Sequence, residues 1–127
     1  MKIYGIGTDI VSIKRIRLSI KNKDFIKRIF NKKEVLRCNK VINYYNCYAK
    51  RFAAKEAFSK ALGTGITKGV NFNEIIILNK KSGKPFINLK GVTKKKIEKI
   101  FKQKKVKISL SLSDEKDYAV AFVTISV

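Results

Sequence analysis

Tyr44-Tyr45-Asn46-Cys47-Tyr48-Ala49-Lys50-Arg51-Phe52-Ala53-Ala54-Lys55-Glu56-Ala57-Phe58-Ser59-Lys60-Ala61-Leu62 is the stretch on which the fold turns. Alanine recurs through it, no proline or glycine interrupts it, and Gly63 stands where a helix would end. The pattern predicts a helix of about five turns. With Tyr45 as reference, ideal geometry puts Phe52, Glu56 and Ala49 within about 40° of one direction. A carboxylate therefore rises from an apolar stripe. Buried there, it needs a cation or strong donors, or it takes up a proton. The residues alone leave two readings open: a salt bridge to Lys60 one turn on, or to an arginine elsewhere, and a functional site.

Working outward, residues 2–8 read as a strand. Gly5 and Gly7 share a face with Asp9 and present no side chains. That leaves room beside the Asp9 carboxylate for a ligand or a closely packed helix; an N-cap for the following helix is the alternative. Ser12 to about Ile20 reads as a helix with Ile13, Ile16 and Ile20 on one face and Lys14, Arg15, Arg17 and Lys21 around it. Asp24 is placed to cap a short helix through Phe30, and another helix covers Lys33 to Lys40. After the central helix, Phe72–Leu78 and Phe86–Leu89 read as strands joined by a turn over Lys80–Lys84, with Pro85 opening the second. Val92, Ile97, Ile100 and Phe101 make the apolar stripe of a lysine-rich helix. Val106, Ile108, Leu110 and Leu112 alternate with polar residues, as on a half-buried strand, and Tyr118–Val127 is apolar on both parities, as in a central strand. The sum is one α+β domain over residues 1–127: a small, mostly antiparallel sheet packed with a long central helix.

Composition narrows the chemistry. The 127 residues include 30 Lys and Arg against 9 Asp and Glu, a formal charge of +21, and no histidine. Without histidine there is no Ser-His or Cys-His nucleophile pair and no histidine metal site. Cys38 and Cys47 lack Cys-x-x-Cys spacing and read as small buried or half-buried residues. No apolar run approaches the ~20 residues of a membrane span, and Asp9 interrupts the N-terminal apolar stretch, so a cytoplasmic setting is expected. The charge invites a nucleic-acid reading. Lysine, however, supplies 25 of the 30 basic residues and is poorer than arginine at bidentate phosphate or base recognition. The aromatics that could stack on bases, Tyr44, Tyr45 and Tyr48, fall on the helix, where packing is the simpler account. A surface that attracts acidic partners remains.

Two acids on separate elements, with lysines nearby, suit a Mg²⁺ held by one or two carboxylates and substrate phosphates. Lys60 lies about 40° from Glu56 and one turn along, and Lys84 sits in a Gly-Lys-Pro turn. Taken in order, Gly5-Ile6-Gly7-Thr8-Asp9-Ile10-Val11, the run from Arg51 through Lys60 to Gly63-Thr64-Gly65, Gly83-Lys84-Pro85, and Ser111-Leu112-Ser113-Asp114-Glu115-Lys116-Asp117-Tyr118 closely resemble the short bacterial 4′-phosphopantetheinyl transferases, the holo-[acyl-carrier-protein] synthase family. The resemblance covers essentially the whole chain.

It implies an α+β homotrimer with active sites at subunit interfaces. The enzyme would move the phosphopantetheine arm of coenzyme A onto a serine of an acidic acyl carrier protein, for fatty acid biosynthesis. By motif, Asp9 and Glu56 match the metal-binding acids and Lys60 and Lys84 positions around the coenzyme A phosphates. Arg51, Gly83 and Pro85 fall in the same nucleotide-binding neighbourhood. Asp114 stands where many members carry histidine. An ionised carboxylate cannot donate to a phosphate, so at Asp114 a water-mediated metal contact, a lysine pair, a base or a plain turn residue all stay open. Docking of the carrier's acidic helix is expected on Lys14, Arg15, Arg17, Lys21 and, further on, Arg28. The competing readings are a basic nucleic-acid-binding module and a trimer that has lost its activity.

Overall fold

The central stretch forms one helix over Tyr44–Leu62 (α4), and Gly63 closes it with a φ of +97°. In the computed structural model, which describes residues 1–63, 68–102 and 104–127, the remaining elements are built around it. They are β1 (Ile3–Ser12), α1 (Ile13–Ser19), α2 (Lys23–Ile29), α3 (Lys32–Cys38), a 3-10 turn at Phe72–Glu74, β2 (Ile75–Asn79), β3 (Pro85–Leu89), α5 (Gly91–Phe101), β4 (Lys107–Asp114) and β5 (Tyr118–Ser126). Thr64 and Gly65, the end of the central motif, lie outside the described residues.

Two antiparallel sheets carry the strands: β1-β5-β4, with β5 central, and the β2-β3 hairpin. The doubly apolar pattern of β5 has its expected cause, a strand paired on both edges. Its inner face is Ala119, Ala121, Val123 and Ile125, all buried against the helix layer. Small residues let α4 come close to this face. A Cβ on Gly7 would stand 1.9 Å from the Ala57 carbonyl oxygen, and one on Gly5 would stand 1.9 Å from that of Ala61. The space beside Asp9 is therefore filled by a helix. Its main-chain carbonyls come so near that only glycine fits opposite.

Several boundaries differ from the sequence reading. β1 runs to Ser12, because β5 is long enough to pair Ser12 with Tyr118, so Asp9 sits within a strand opposite Ala121. Asp9 is not a cap: Ser12 caps α1, accepting from the Arg15 amide. Asn22, not Asp24, caps α2, taking the amides of Asp24 and Phe25 on its side-chain oxygen. The strand expected from Phe72 begins at Ile75, after the 3-10 turn. On α5, Thr93 is buried while Val92 is exposed. Thr93 Oγ1 donates to Glu74, whose carboxylate also accepts the amides at the start of that helix.

Cys38 and Cys47 are buried as expected, and they are also joined to each other. One closes α3 and the other lies in the first turn of α4. That brings their Cα atoms to 5.4 Å, within reach of a disulfide. Disulfides are rare in reducing compartments, so the bond departs from the expected setting.

The outer face of the three-stranded sheet is largely apolar along β1 and β5, whereas β4 presents Ser109, Ser111 and Ser113 to the same side. Ile6, Ile10, Tyr118, Val120 and Phe122 are all exposed there, and Ile10 pairs directly with Val120 across the strands. A contiguous apolar face of this kind marks an interaction surface.

Candidate active site

The close approach of β1 to α4 brings Asp9 beside the last turns of the helix. Lys60 Nζ lies 3.3 Å from Asp9 Oδ1 and donates to the Thr8 carbonyl at 3.0 Å. Glu56, one turn earlier, is half-buried. Its carboxyl is held above the usual range, first by burial and then by the negative charge of Asp9; Lys60 and Arg15 act in the opposite direction. The two acids thus sense each other across the strand–helix junction. The expected alternative, a Glu56–Lys60 bridge, is absent among the described residues, because Lys60 is engaged by Asp9. Glu56 is left as a half-desolvated carboxylate beside a like charge. An oxygen-seeking divalent cation would relieve that situation. Among the described residues no cluster of three or more His, Cys, Asp or Glu exists. Two carboxylates would leave the remaining positions of an octahedral cation to water or phosphate, as Mg²⁺ prefers.

A second group forms at the β2–β3 turn. Gly83 has a φ of +92°, its amide donates to the Lys80 carbonyl, and Lys84 is exposed where the turn closes, beside Pro85, the first residue of β3. Arg51 is buried at 3% exposure; its Nη2 donates to Asn79 Oδ1 at 2.7 Å and its Nη1 lies 3.3 Å from Cys47 Sγ. Burial lowers its pKa. Arg51 and Glu56 are five residues apart, about 140° around the helix. The acid pair and the Lys84 turn accordingly belong to different flanks of α4.

Asp114 ends β4 and faces α4. It accepts from Asn46 Nδ2 at 2.7 Å and lies 3.5 Å from Lys50 Nζ. A lysine pair, one of the readings left open for it, is present. Lys14, Arg15, Arg17, Lys21 and Arg28 are all exposed on α1, α2 and the link between them. Arg17 lies over the Tyr45 ring, and the Arg15 charge opposes the rise of the Glu56 pKa.

Sequence reasoning missed Lys55 and Glu34. Both are fully buried and joined at 2.8 Å. Burial draws the Lys55 ammonium down to about 8, while Glu34 pulls the other way. The one local signal was the capping box, Asn31 with Glu34 three residues on, which α3 does form. Asn79 was missed as well, since nothing in a strand-end asparagine signals a buried arginine partner.

The model of the 4′-phosphopantetheinyl transferase superfamily matches residues 5–123, and the chain belongs to that family. The holo-[acyl-carrier-protein] synthase of Pelagibacter ubique is 50% identical over 123 residues, covering 97% of this chain and 96% of that protein. The crystal structure of the Neisseria meningitidis holo-[acyl-carrier-protein] synthase superposes with a TM-score of 0.83 at 46% identity, over 98% of this chain and 99% of that one. The Helicobacter pylori enzyme, solved in complex with coenzyme A, superposes at 0.79 with 34% identity, over 95% and 99%.

Proposed function

We propose that this chain is a holo-[acyl-carrier-protein] synthase, moving 4′-phosphopantetheine from coenzyme A to a serine of apo acyl carrier protein. The observation that carries the reading is the meeting of Asp9 with Glu56 and Lys60 where β1 crosses α4, in a chain with relatives of that name along its full length. In the reaction the serine hydroxyl releases its proton to solvent and its oxygen bonds to the β-phosphorus of the coenzyme A diphosphate. The bond from that phosphorus to the bridging oxygen breaks, and adenosine 3′,5′-bisphosphate leaves. Asp9 and Glu56 would hold one Mg²⁺, which supplies charge neutralisation at the diphosphate. Lys60 and Lys84 offset the remaining negative charge as it moves to the leaving group.

The test is to incubate the protein with apo acyl carrier protein, coenzyme A and Mg²⁺ and weigh the carrier intact. A gain of one phosphopantetheine per carrier is expected; an unchanged mass overturns the reading.

The separation of the Lys84 turn from the acid pair supports shared sites, in which the turn of one subunit serves the acids of a neighbour. The exposed apolar sheet face supports a homotrimer. Sedimentation should give three times the 14.5 kDa chain mass; a monomer at assay concentration would contradict it.

The reading puts the acidic carrier on α1, where the Arg15 charge acts on Glu56. Arg15→Glu should raise the KM for the carrier about tenfold at low salt and flatten its salt dependence, leaving the KM for coenzyme A largely unchanged. An unaltered salt profile would remove this docking face. The reading puts the enzyme in the cytoplasm. Among the described residues no helix is long and apolar enough to cross a membrane.

A further inference from the structure

We propose that Asn79 is a positioning residue for coenzyme A, with Arg51 as its anchor, and that the pair acts by fixing the turn that presents Lys84. This rests on the assignment of Lys84 to the coenzyme A phosphates. Asn79 ends β2 and pairs with Pro85, the first residue of β3. Its Oδ1 accepts from Arg51 Nη2 at 2.7 Å, and its Nδ2 donates to the Gly83 carbonyl at 3.0 Å.

The chemistry fixes which way round this amide lies. A guanidinium only donates, so the amide oxygen must face Arg51 and the NH₂ must face the turn. The carbonyl of Gly83 belongs to the peptide group that joins Gly83 to Lys84. Holding it fixes the plane from which Lys84 departs. The next peptide is held too, since the Lys84 carbonyl accepts from the Lys80 amide at 2.9 Å. Gly83 itself has a φ of +92°, and glycine is the residue freest to adopt other conformations, so a turn built on it gains most from an outside brace.

The brace begins in the rigid part of the fold. Arg51 is 97% buried, on the longest helix, and has no carboxylate partner among the described residues. It also lies against Cys47, one turn earlier on the same helix. A surface lysine on a glycine turn would otherwise spend its binding contribution on being ordered. Anchoring the turn to α4 reduces that cost.

Asn79→Asp separates this role from a structural one. The new carboxylate keeps, and strengthens, the bond to Arg51, but sets an oxygen against the Gly83 carbonyl. The thermal midpoint should stay the same or rise, because a buried cation gains a counter-charge. The KM for coenzyme A should rise about three- to tenfold, with kcat altered less than about twofold. Direct calorimetry with adenosine 3′,5′-bisphosphate should show the same loss without any turnover. In a Lys84→Ala background, Asn79→Asp should add little, because the brace acts through Lys84. Should Asn79→Asp not fold, Asn79→Ala answers through the same calorimetric measurement.

An unchanged coenzyme A KM and bisphosphate affinity would overturn the proposal, as would a full additive loss in the Lys84→Ala background. In either case the transfer activity of the wild-type chain would stand. A wild-type chain that binds no coenzyme A would instead fell the functional reading, and this proposal with it.

Discussion

Glu56→Gln should leave the fold intact and lower the rate of phosphopantetheine transfer by about 10³-fold, the cost of several kcal/mol of transition-state charge stabilisation. The substitution keeps shape and polarity and removes only the charge. Glu56 is half-buried and forms no ion pair among the described residues, so no structural partner is left stranded. Its carboxyl is already held above the usual range by burial and by Asp9, so neutralising it relieves a repulsion. Stability should therefore hold or improve while activity falls, and that opposition is the signature of a functional charge. Asp9→Asn should lose activity similarly, with a smaller gain in stability, because it gives up the contact with Lys60 at 3.3 Å. Steady-state transfer and thermal unfolding on the same samples check both. Activity within tenfold of wild type in both variants would remove the two acids from the chemistry.

Lys55→Met should destabilise the chain by about 3–5 kcal/mol, as breaking one side of a buried ion pair does. Glu34 Oε1 accepts from Lys55 Nζ at 2.8 Å and from the Asn31 amide at 2.9 Å, and Oε2 accepts from the Ile77 amide at 3.1 Å. Lys55 in turn donates to the carbonyls of Phe72 and Ile75. The pair thus ties α3, α4, the 3-10 turn and β2 at one buried point. Methionine would leave a carboxylate and two carbonyls without that partner. Domains of this size hold only about 5–15 kcal/mol in total, so the variant should stand near its unfolding threshold. Adding Glu34→Gln should recover part of the loss, since a neutral amide tolerates burial better than a lone charge. Urea unfolding checks both. A Lys55→Met midpoint matching wild type would show that the pair is not a structural tie.

What was legible in the sequence divides along physical lines. α4 was legible end to end, because its signals are local: helix formers throughout and a glycine at its close. Asp9 and Glu56 stood out because each interrupts a pattern, one a glycine face and the other an apolar stripe. Their meeting follows from Gly5 and Gly7, whose purpose shows only when the Ala57 and Ala61 carbonyls are in place. The partner of Lys60 was not legible, since one helical turn and one crossing strand offer equally good carboxylates. Nor was the Glu34–Lys55 pair: the two lie 21 positions apart, and lysine in a chain with 25 of them reads as surface. At the start of α2 the sequence points to Asp24 as the cap, and Asn22, two residues earlier, takes that role.

The central claim is that Asp9 and Glu56 grip one divalent cation together with the coenzyme A diphosphate. Titrating Mn²⁺ into the protein with coenzyme A present, and following free Mn²⁺ by electron paramagnetic resonance, tests it without any turnover. One ion per chain is expected in the wild type. In Asp9→Asn and in Glu56→Gln, affinity should fall by more than the roughly 10–100-fold typical of losing an outer-shell partner. Equal Mn²⁺ affinity in the wild type and both variants would contradict it.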